Sequence, residues 1–302
     1  MNKISLVLLV IVSCTLQQVS AQAPVKPIDS PHEAPIGRRN GVTGILGAFA
    51  DETELLLGQV QQKKEVVIRQ IHFTQGLLRG RPVVIAQSGI GKVNAAVTTA
   101  LMLEHFQPSE IVFTGIAGAV DPALIPGDLV IATKVAYHDY GSLLPDSMQR
   151  RSTRNPTTMQ ENPIYFPCDK RLLQVADMAG KTIVLEKMSS ANGSVLPKIV
   201  EGVIVTGDVF VSSQAATQKL YRQMNAEATE MEGAAVGQVC YQQQTPFIII
   251  RSMSDNAGNN AYLDVKSFYR IAARNSASLV MAIMEMLAQH GPRVKTANKP
   301  VK

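Results

Sequence analysis

The chain has 302 residues, 46% hydrophobic and 18% charged, which is an ordinary globular composition and enough length for a large core. Its formal net charge of +5 comes partly from the C-terminal residues 291–302, which carry basic side chains without apolar periodicity. There is no Trp and there are few aromatic residues, so nothing in the composition supports a base-stacking surface for nucleic acid, and no nucleic-acid partner is expected.

The N-terminal residues predict export. A positively charged start is followed by the short apolar run of residues 4–12, and Val19-Ser20-Ala21 offers the small residues at which signal peptidases cut. The run is too short to span a bilayer as a mature helix, so residues 1–21 are interpreted as a signal peptide and no stable membrane span is expected. The protein is therefore expected to be periplasmic or secreted.

The cysteines and the N-terminal prolines allow further interpretations. Cys14 follows a lipoprotein-like processing sequence, so lipidation of Cys14 is the alternative to cleavage after Ala21. Without Cys14, the mature chain keeps Cys168 and Cys240, which could form a disulfide in an oxidising compartment or remain buried thiols. Residues 22–40 carry four prolines among polar residues and are predicted to be a flexible linker.

Beyond the linker, apolar strands alternate with helices. Residues 42–49 predict a short strand, and the acidic residues 51–54 begin a helix whose N-terminal dipole they would complement. Further strands are predicted at 66–73 and 82–87. The glycine-rich turn at 88–92 leads into a second helix, and such a turn can bind an anion through its backbone N–H groups.

The middle of the chain continues the alternation with strands at 111–119 and 129–132. After the second strand, His138 could be a ligand or a catalytic base, although a lone histidine beside a turn is more often structural. Residues 140–168 are polar and contain proline, so they are predicted to form a long surface loop or a lid. Three arginines cluster in this loop: Arg150, Arg151 and Arg154.

Candidate site residues lie at or just after strand ends in the C-terminal half. Phe210 lies just beyond a strand ending in Gly207-Asp208, where it could stack on a flat ligand or pack in the core. Glu230-Met231-Glu232 places two carboxylates in a run of small apolar residues, so at least one should be partly buried and need a partner or a task. Asp255 ends an apolar strand, and a last amphipathic helix stops at Gly291.

No break in composition divides residues 41–290. The chain is therefore predicted to contain a single α/β domain with a central mixed sheet flanked by helices. The basic residues 291–302 are predicted to be a disordered tail. Glycines and acids at several strand ends mark the edge at which open α/β sheets bind ligands.

Eight motifs occur in one order along residues 42–290. They are Ile45-Leu46-Gly47-Ala48 with acids through Glu52, Ser88–Ala96, Thr114–Gly118, Gly127-Asp128, Tyr137-His138-Asp139, Gly207–Phe210, Glu230-Met231-Glu232 and Ser254-Asp255. Together they resemble the 5′-methylthioadenosine/S-adenosylhomocysteine nucleosidases, which have the fold of the purine nucleoside and uridine phosphorylases. The resemblance implies that water cleaves the bond between adenine and ribose, with no metal or other cofactor, in a homodimer.

The resemblance also implies a role for each site residue. Asp255 would protonate the departing purine, Glu232 would accept hydrogen bonds from the ribose hydroxyls, and Glu52 would orient and deprotonate the attacking water. Phe210 would stack on adenine, and the backbone of Val211 would read the edge of the base. The remaining substrate contacts are implied for Met231, Arg251, Ser254, Ile116 and Gly118.

Three alternatives remain open at this point. Asp51 and Glu52 in the first loop would repel phosphate, which favours a hydrolase over a purine nucleoside phosphorylase. Ile116 stands where many relatives have Ser, so another purine nucleoside hydrolase, such as one acting on futalosine, is not excluded. A non-catalytic exported nucleoside-binding protein is the third alternative, although binding alone does not require all three acids. The sequence does not determine the preferred 5′-substituent.

Overall fold

The computed structural model of the protein describes residues 41–145, 147–190, 193–255, 257 and 261–290. The predicted signal peptide (1–21), linker (22–40) and C-terminal tail (291–302) lie outside these residues and stay predictions. So does lipidation at Cys14.

The described strands and helices alternate along most of the chain. The first half contains β1 (Thr43–Gly47), α1 (Ala50–Gln59), β2 (Gln61–Ile68), β3 (Ile71–Leu78), β4 (Arg81–Gln87), α2 (Lys92–Phe106), β5 (Glu110–Ala119), β6 (Leu129–Tyr137), β7 (Gly141–Leu143) and β8 (Met148–Arg150). The second half contains β9 (Tyr165–Pro167), α3 (Lys170–Gly180), β10 (Met188–Ser190), β11 (Gly193–Val195), β12 (Ile199–Thr206), α4 (Gln214–Met224), β13 (Ala226–Glu230), α5 (Gly233–Gln242), β14 (Phe247–Asp255) and α6 (Ala261–His290).

The main sheet has the strand order β13-β12-β6-β14-β5-β1-β4-β3-β2. Strands β4, β1, β5 and β14 run parallel to one another, whereas β14 and β6 pair antiparallel. Strand β13 pairs with β12 on one side and with β5 on the other. The five strands β13, β12, β6, β14 and β5 therefore close into a ring. The prediction of a central mixed sheet flanked by helices is confirmed.

Alternating side chains along the central strands build a hydrophobic core on each face of the sheet. In β5, Ile111 and Phe113 belong to the core that also contains residues of α2 and α5, while Val112 belongs to the opposite core. In β14, Ile249 points to the first core, and Ile248 lies in the second together with residues of α1, α3 and α6. The continuous apolar runs in the sequence therefore reflect strands that are covered on both faces.

Two sequence predictions about local structure were wrong, and two elements were missed. The strand predicted at 66–73 spans the turn of a hairpin, because Arg69 and Gln70 between β2 and β3 both adopt positive φ angles of 49° and 68°. Residues 140–168 contain β7, β8 and β9, and none of the described residues among them lines the central cavity. Helix α4 and strand β13 were not predicted as separate elements.

Helix α6 and the two cysteines of the domain lie in the core. The segment Phe268–Gln289 is long and apolar enough to cross a membrane, but its residues Leu279, Ile283 and Leu287 are buried against the sheet. Cys168 and Cys240 are both buried and form no disulfide, so the disulfide alternative was wrong.

Candidate active site

A cavity of about 450 Å³ opens where the carboxyl ends of β1, β5 and β14 meet. These strands are parallel, so their ends lie at the same edge of the sheet. Nine of the ten residues that the sequence assigned to the site line this cavity: Glu52, Ile116, Gly118, Phe210, Val211, Met231, Glu232, Ser254 and Asp255. The tenth, Arg251, lies directly behind the cavity wall.

Glu52 is a buried carboxylate with both oxygens fixed by backbone donors. One oxygen accepts a hydrogen bond from the N–H of Ile116 at 2.9 Å, and the other accepts from the N–H of Ala48. Burial raises the pKa of Glu52, although the Arg251 guanidinium and the two backbone donors partly offset that effect. The side chain is 3% exposed, so it does not simply complement the helix dipole at the start of α1. A fixed carboxylate with a raised pKa can accept a proton from a bound water.

Gly115 allows Glu52 and Arg251 to approach the backbone of β5. A Cβ atom at this position would lie 2.7 Å from Nη1 of Arg251 and closer still to Oε1 of Glu52. Either distance is shorter than real side-chain contacts allow, so a substitution here would displace the carboxylate. The absence of a side chain at Gly115 is therefore part of the construction of the site.

Glu232 is held by the glycine-rich turn that precedes α2. The N–H of Gly91 donates to Oε1 of Glu232 at 2.8 Å, and the next N–H, from Lys92, donates to Asp208 at 2.8 Å. The turn thus binds carboxylates of the protein through the N–H groups that the sequence suggested for an anion. Burial and the neighbouring Glu230 raise the pKa of Glu232 to about 8.

Arg251 and Glu230 form a buried ion pair under the cavity. Nη2 of Arg251 lies 2.6 Å from Oε2 of Glu230 and 3.8 Å from Oε2 of Glu232, and its guanidinium stacks on the ring of Phe113 at 4.0 Å. Burial alone would lower the pKa of Arg251, but the surrounding carboxylates raise it instead. Glu230 also accepts from the N–H groups of Glu232 and Gly233. Glu230 therefore fixes the backbone that carries Glu232.

Asp255 lies at the end of β14, where it is 2% exposed. Its Oδ1 accepts from the N–H of Ala257 at 2.6 Å, and its Oδ2 accepts from the hydroxyl of Ser254 at 2.8 Å. Gly118 of β5 makes room for it, since a Cβ there would lie 2.9 Å from Oδ1. The carboxyl is thus held in one orientation in the cavity wall.

Phe210 is 50% exposed and lines the cavity, so it does not pack in the core. The loop that carries it is tied down at its start, where the N–H of Asp208 donates to Asp139 at 2.8 Å and Asp208 itself accepts from Lys92. An exposed ring on an anchored loop is suited to stack against a flat ligand. Val211 follows it in the cavity wall.

The sequence did not assign several residues that line the cavity, and it favoured a structural role for His138. Among them are Phe49, Ile90, Thr229 and Tyr269. The first three lie within or next to motifs that the sequence had singled out, whereas Tyr269 lies in α6, away from all of them. His138 is buried outside the cavity, against Gly207, so it is not in position to act as a ligand or base there. Among the described residues, no group of three His, Cys, Asp or Glu side chains could hold a metal ion.

The raised pKa of Glu232 predicts how stability depends on pH. Its folded pKa of about 8 exceeds the ordinary value of 4.5, so the folded state retains a proton that the unfolded state releases as the pH rises between these values. Folding stability should therefore fall over this interval, and Glu232→Gln should remove that fall. Relative to wild type, we expect the variant to gain on the order of a few kcal/mol between pH 4.5 and 8, measured by urea unfolding.

Glu186→Gln is the control for this prediction. Hydrogen bonds from Arg274 hold the pKa of Glu186 below its ordinary value, so removing this exposed carboxylate should change stability in the opposite direction and only slightly. If the free energy of unfolding of Glu232→Gln changes with pH in the same way as that of wild type, the raised pKa of Glu232 is contradicted.

Comparison with known proteins places this cavity in a family. The sequence profile of the phosphorylase superfamily matches residues 42–285. The chain is 37% identical over 245 residues to the 5′-methylthioadenosine/S-adenosylhomocysteine nucleosidase of Psychromonas ingrahamii and 36% identical to that of Halalkalibacterium halodurans, covering 81% of this chain and 98% of each relative.

Solved structures agree with the sequence relatives. The structure of the 5′-methylthioadenosine/S-adenosylhomocysteine nucleosidase from Neisseria meningitidis in complex with methylthio-immucillin-A matches with a TM-score of 0.68 and 32% identity, covering 82% of this chain and 99% of the other. The futalosine hydrolase of Helicobacter pylori matches with a TM-score of 0.66 and 27% identity, over 81% and 97% of the two chains.

Proposed function

The chain belongs to the phosphorylase superfamily and, within it, to the 5′-methylthioadenosine/S-adenosylhomocysteine nucleosidases, and we propose from this premise how its residues carry out the reaction. The protein is an N-glycosidase that hydrolyses the bond between adenine and ribose in adenine nucleosides such as 5′-methylthioadenosine, releasing adenine. The observation that carries the assignment of residues is that Glu52, Glu232 and Asp255 line one cavity.

Asp255 is proposed to protonate the purine as it departs. Cleavage of the N-glycosidic bond leaves negative charge on the base, and a proton delivered in the transition state makes the base a better leaving group. The hydrogen bonds from Ala257 and Ser254 hold the Asp255 carboxyl in one orientation. Phe210 and Val211 are proposed to hold the adenine ring beside it.

Glu52 is proposed to bind and deprotonate the attacking water. Its two oxygens already accept from the N–H groups of Ile116 and Ala48, so the remaining lone pairs are fixed in direction. Glu232 is proposed to accept hydrogen bonds from the ribose hydroxyls and to stabilise the cationic sugar of the transition state. Glu230 and Arg251 keep Glu232 in place.

One observation supports water over phosphate as the nucleophile. The N–H groups of Gly91 and Lys92, which could have bound a phosphate dianion, donate to Glu232 and Asp208. These donors are already occupied by carboxyl groups of the protein, so they are not free to hold a phosphate dianion. A phosphorylase is therefore disfavoured. The similarity to nucleosidases disfavours a non-catalytic binding protein.

The reaction is tested by product analysis. The purified protein should release adenine and free methylthioribose from 5′-methylthioadenosine in a phosphate-free buffer, measured by chromatography with mass detection. Adding phosphate should neither speed the reaction nor yield a sugar phosphate. Release that depends on phosphate would show a phosphorylase, and no release from any adenine nucleoside would refute the assigned reaction.

The protein is proposed to act as a homodimer. Apolar side chains are exposed together near the start of α2, where Val93 and Val97 are 73% and 49% exposed, and on the adjoining hairpin, where Leu143 is 86% exposed. The ion pair between Lys92 and Asp139 keeps these two segments together. Large apolar side chains that are this exposed on two segments joined by an ion pair support an interface here.

Light scattering coupled to size-exclusion chromatography tests this assembly. Wild type should have the molar mass of two chains, and the Val93→Lys variant should have a molar mass closer to that of one chain. Lys64→Gln, a change in exposed strand β2, serves as the control and should leave the mass unchanged. A wild-type mass of one chain at all concentrations would contradict the proposed dimer.

The protein is also proposed to be exported, on the basis of residues 1–21. Expression of the full chain followed by cell fractionation should place it in the periplasm or the medium, with a mature N-terminus at Gln22 by mass spectrometry. A lipidated protein beginning at Cys14 in the membrane fraction would favour the alternative processing, and an unprocessed cytoplasmic chain would contradict export.

A further inference from the structure

A second cavity, of about 380 Å³, lies in the segment between β8 and β9, and arginines line it. The lining includes Arg150, Arg151 and Arg154 with a single carboxylate, Glu161, and none of these residues lines the nucleoside cavity. Three guanidinium groups and one carboxylate leave an excess of two positive charges around a small volume. Arginines remain protonated at any physiological pH, so this excess is permanent.

The contacts of these arginines orient the guanidinium groups but neutralise only one of them. Arg154 pairs with Glu161 at 3.3 Å across an isolated β-bridge between the two residues. Arg151 donates to the side-chain oxygen of Gln149 at 3.0 Å, and Arg150 donates to that of Gln223 in α4 at 3.1 Å. Amide oxygens fix the direction of a guanidinium without cancelling its charge.

Arg150 is the least satisfied member of the group. Its Nε is buried and, among the described residues, has no hydrogen-bond acceptor. Burial also lowers the pKa of Arg150 below its ordinary value, and the neighbouring Tyr165 only partly offsets this effect. A buried donor without an acceptor, next to like charges, is destabilising unless an anion is bound.

We propose that this arginine cavity is a binding site for a phosphate group. Guanidinium groups match the tetrahedral oxygens of phosphate with paired hydrogen bonds, and a dianion would cancel the excess of two charges. The phosphate group is either free inorganic phosphate or the head group of an acidic lipid at a membrane surface. The site is separate from the nucleoside cavity, so phosphate bound there takes no part in the hydrolysis.

Calorimetric titration of the protein with inorganic phosphate tests the site. The titration is run at constant ionic strength, with saturating adenine to occupy the nucleoside cavity, and sodium chloride serves as the reference anion. We expect one phosphate per chain, and about tenfold weaker binding in Arg150→Gln and in Arg154→Gln. Arg69→Gln, which removes one exposed positive charge in the turn between β2 and β3, should bind as wild type does.

Flotation with phosphatidylcholine vesicles that contain phosphatidic acid distinguishes the two sources. Binding to these vesicles that Arg150→Gln weakens, without binding of inorganic phosphate, would assign the site to a lipid head group. No arginine-dependent binding of either probe would overturn the proposal, as would phosphate binding that adenine abolishes. Adenine release by each variant, expected at the wild-type rate, shows that the variant is folded and keeps this test separate from that of the hydrolase.

Discussion

Replacing Asp255 with asparagine is expected to lower kcat for adenine release from 5′-methylthioadenosine by about 10²–10⁴-fold, the usual effect of one well-placed proton transfer. Asparagine has nearly the same shape, and its side-chain oxygen can still accept from the N–H of Ala257. It cannot deliver a carboxyl proton to the purine, so the chemical step should slow while the cavity keeps its form. Steady-state kinetics with chromatographic detection of adenine measures this effect.

Two measurements separate catalysis from folding in this variant. Adenine should bind the Asp255→Asn protein about as well as wild type by calorimetry, because the stacking surface of Phe210 is unchanged. Asp177→Asn removes a surface carboxylate that pairs with Lys181 at 2.7 Å, and its rate should equal that of wild type. Wild-type turnover in Asp255→Asn would refute Asp255 as the group that protonates the purine.

The Glu52→Gln variant is expected to have a kcat about 10²–10⁴-fold below that of wild type, because no base would remain to deprotonate the water. Burial raises the pKa of Glu52, so the wild-type rate should fall as the pH drops through a value above that of an ordinary glutamate. This acid limb should be absent from the pH profile of the variant. The measurement is kcat/KM as a function of pH for both proteins.

In Glu52→Gln, the side-chain NH2 group would face one of the two backbone N–H donors. The N–H groups of Ala48 and Ile116 both require acceptors, and glutamine supplies one oxygen where glutamate supplies two. The unmatched donor should destabilise the fold by about 1–3 kcal/mol, offset in part by removal of a buried charge. Urea unfolding of the variant measures the balance.

Asp51→Asn is the matched control for Glu52. Asp51 is the neighbouring acid in the same cavity, but it is partly exposed and only loosely paired with Arg270 at 3.8 Å. Its replacement should change kcat little. A loss as large as that of Glu52→Gln would instead assign the role of base to Asp51.

Local sequence patterns predicted most of the alternating elements, since a strand or helix covered by a core needs apolar residues at a fixed period. The glycine turn before α2 and the apolar run of β14 are examples. The patterns failed where local signals were weak or absent. Arg69 and Gln70 form a tight turn with positive φ although neither is glycine or asparagine, and the small strand β13 is too short to show a period.

The motifs in the sequence determined the family and the candidate site residues, because residue types and order along the chain are visible without a fold. Their chemical states were decided by the tertiary structure alone. Glu230 and Glu232 look equivalent in the sequence, but Glu230 pairs with Arg251, whereas Glu232 accepts from Gly91 and faces the cavity with a raised pKa.

The physical reason is that burial and pairing depend on groups that are remote in the chain. Glu232 meets the N–H of Gly91 across 141 residues, and Glu52 meets that of Ile116 across 64. No local pattern encodes these contacts, and they set the direction of each carboxylate lone pair and the free energy of each charge. The sequence determined which acids the protein has, and the folded chain decided which of them line the cavity and which groups hold each of them.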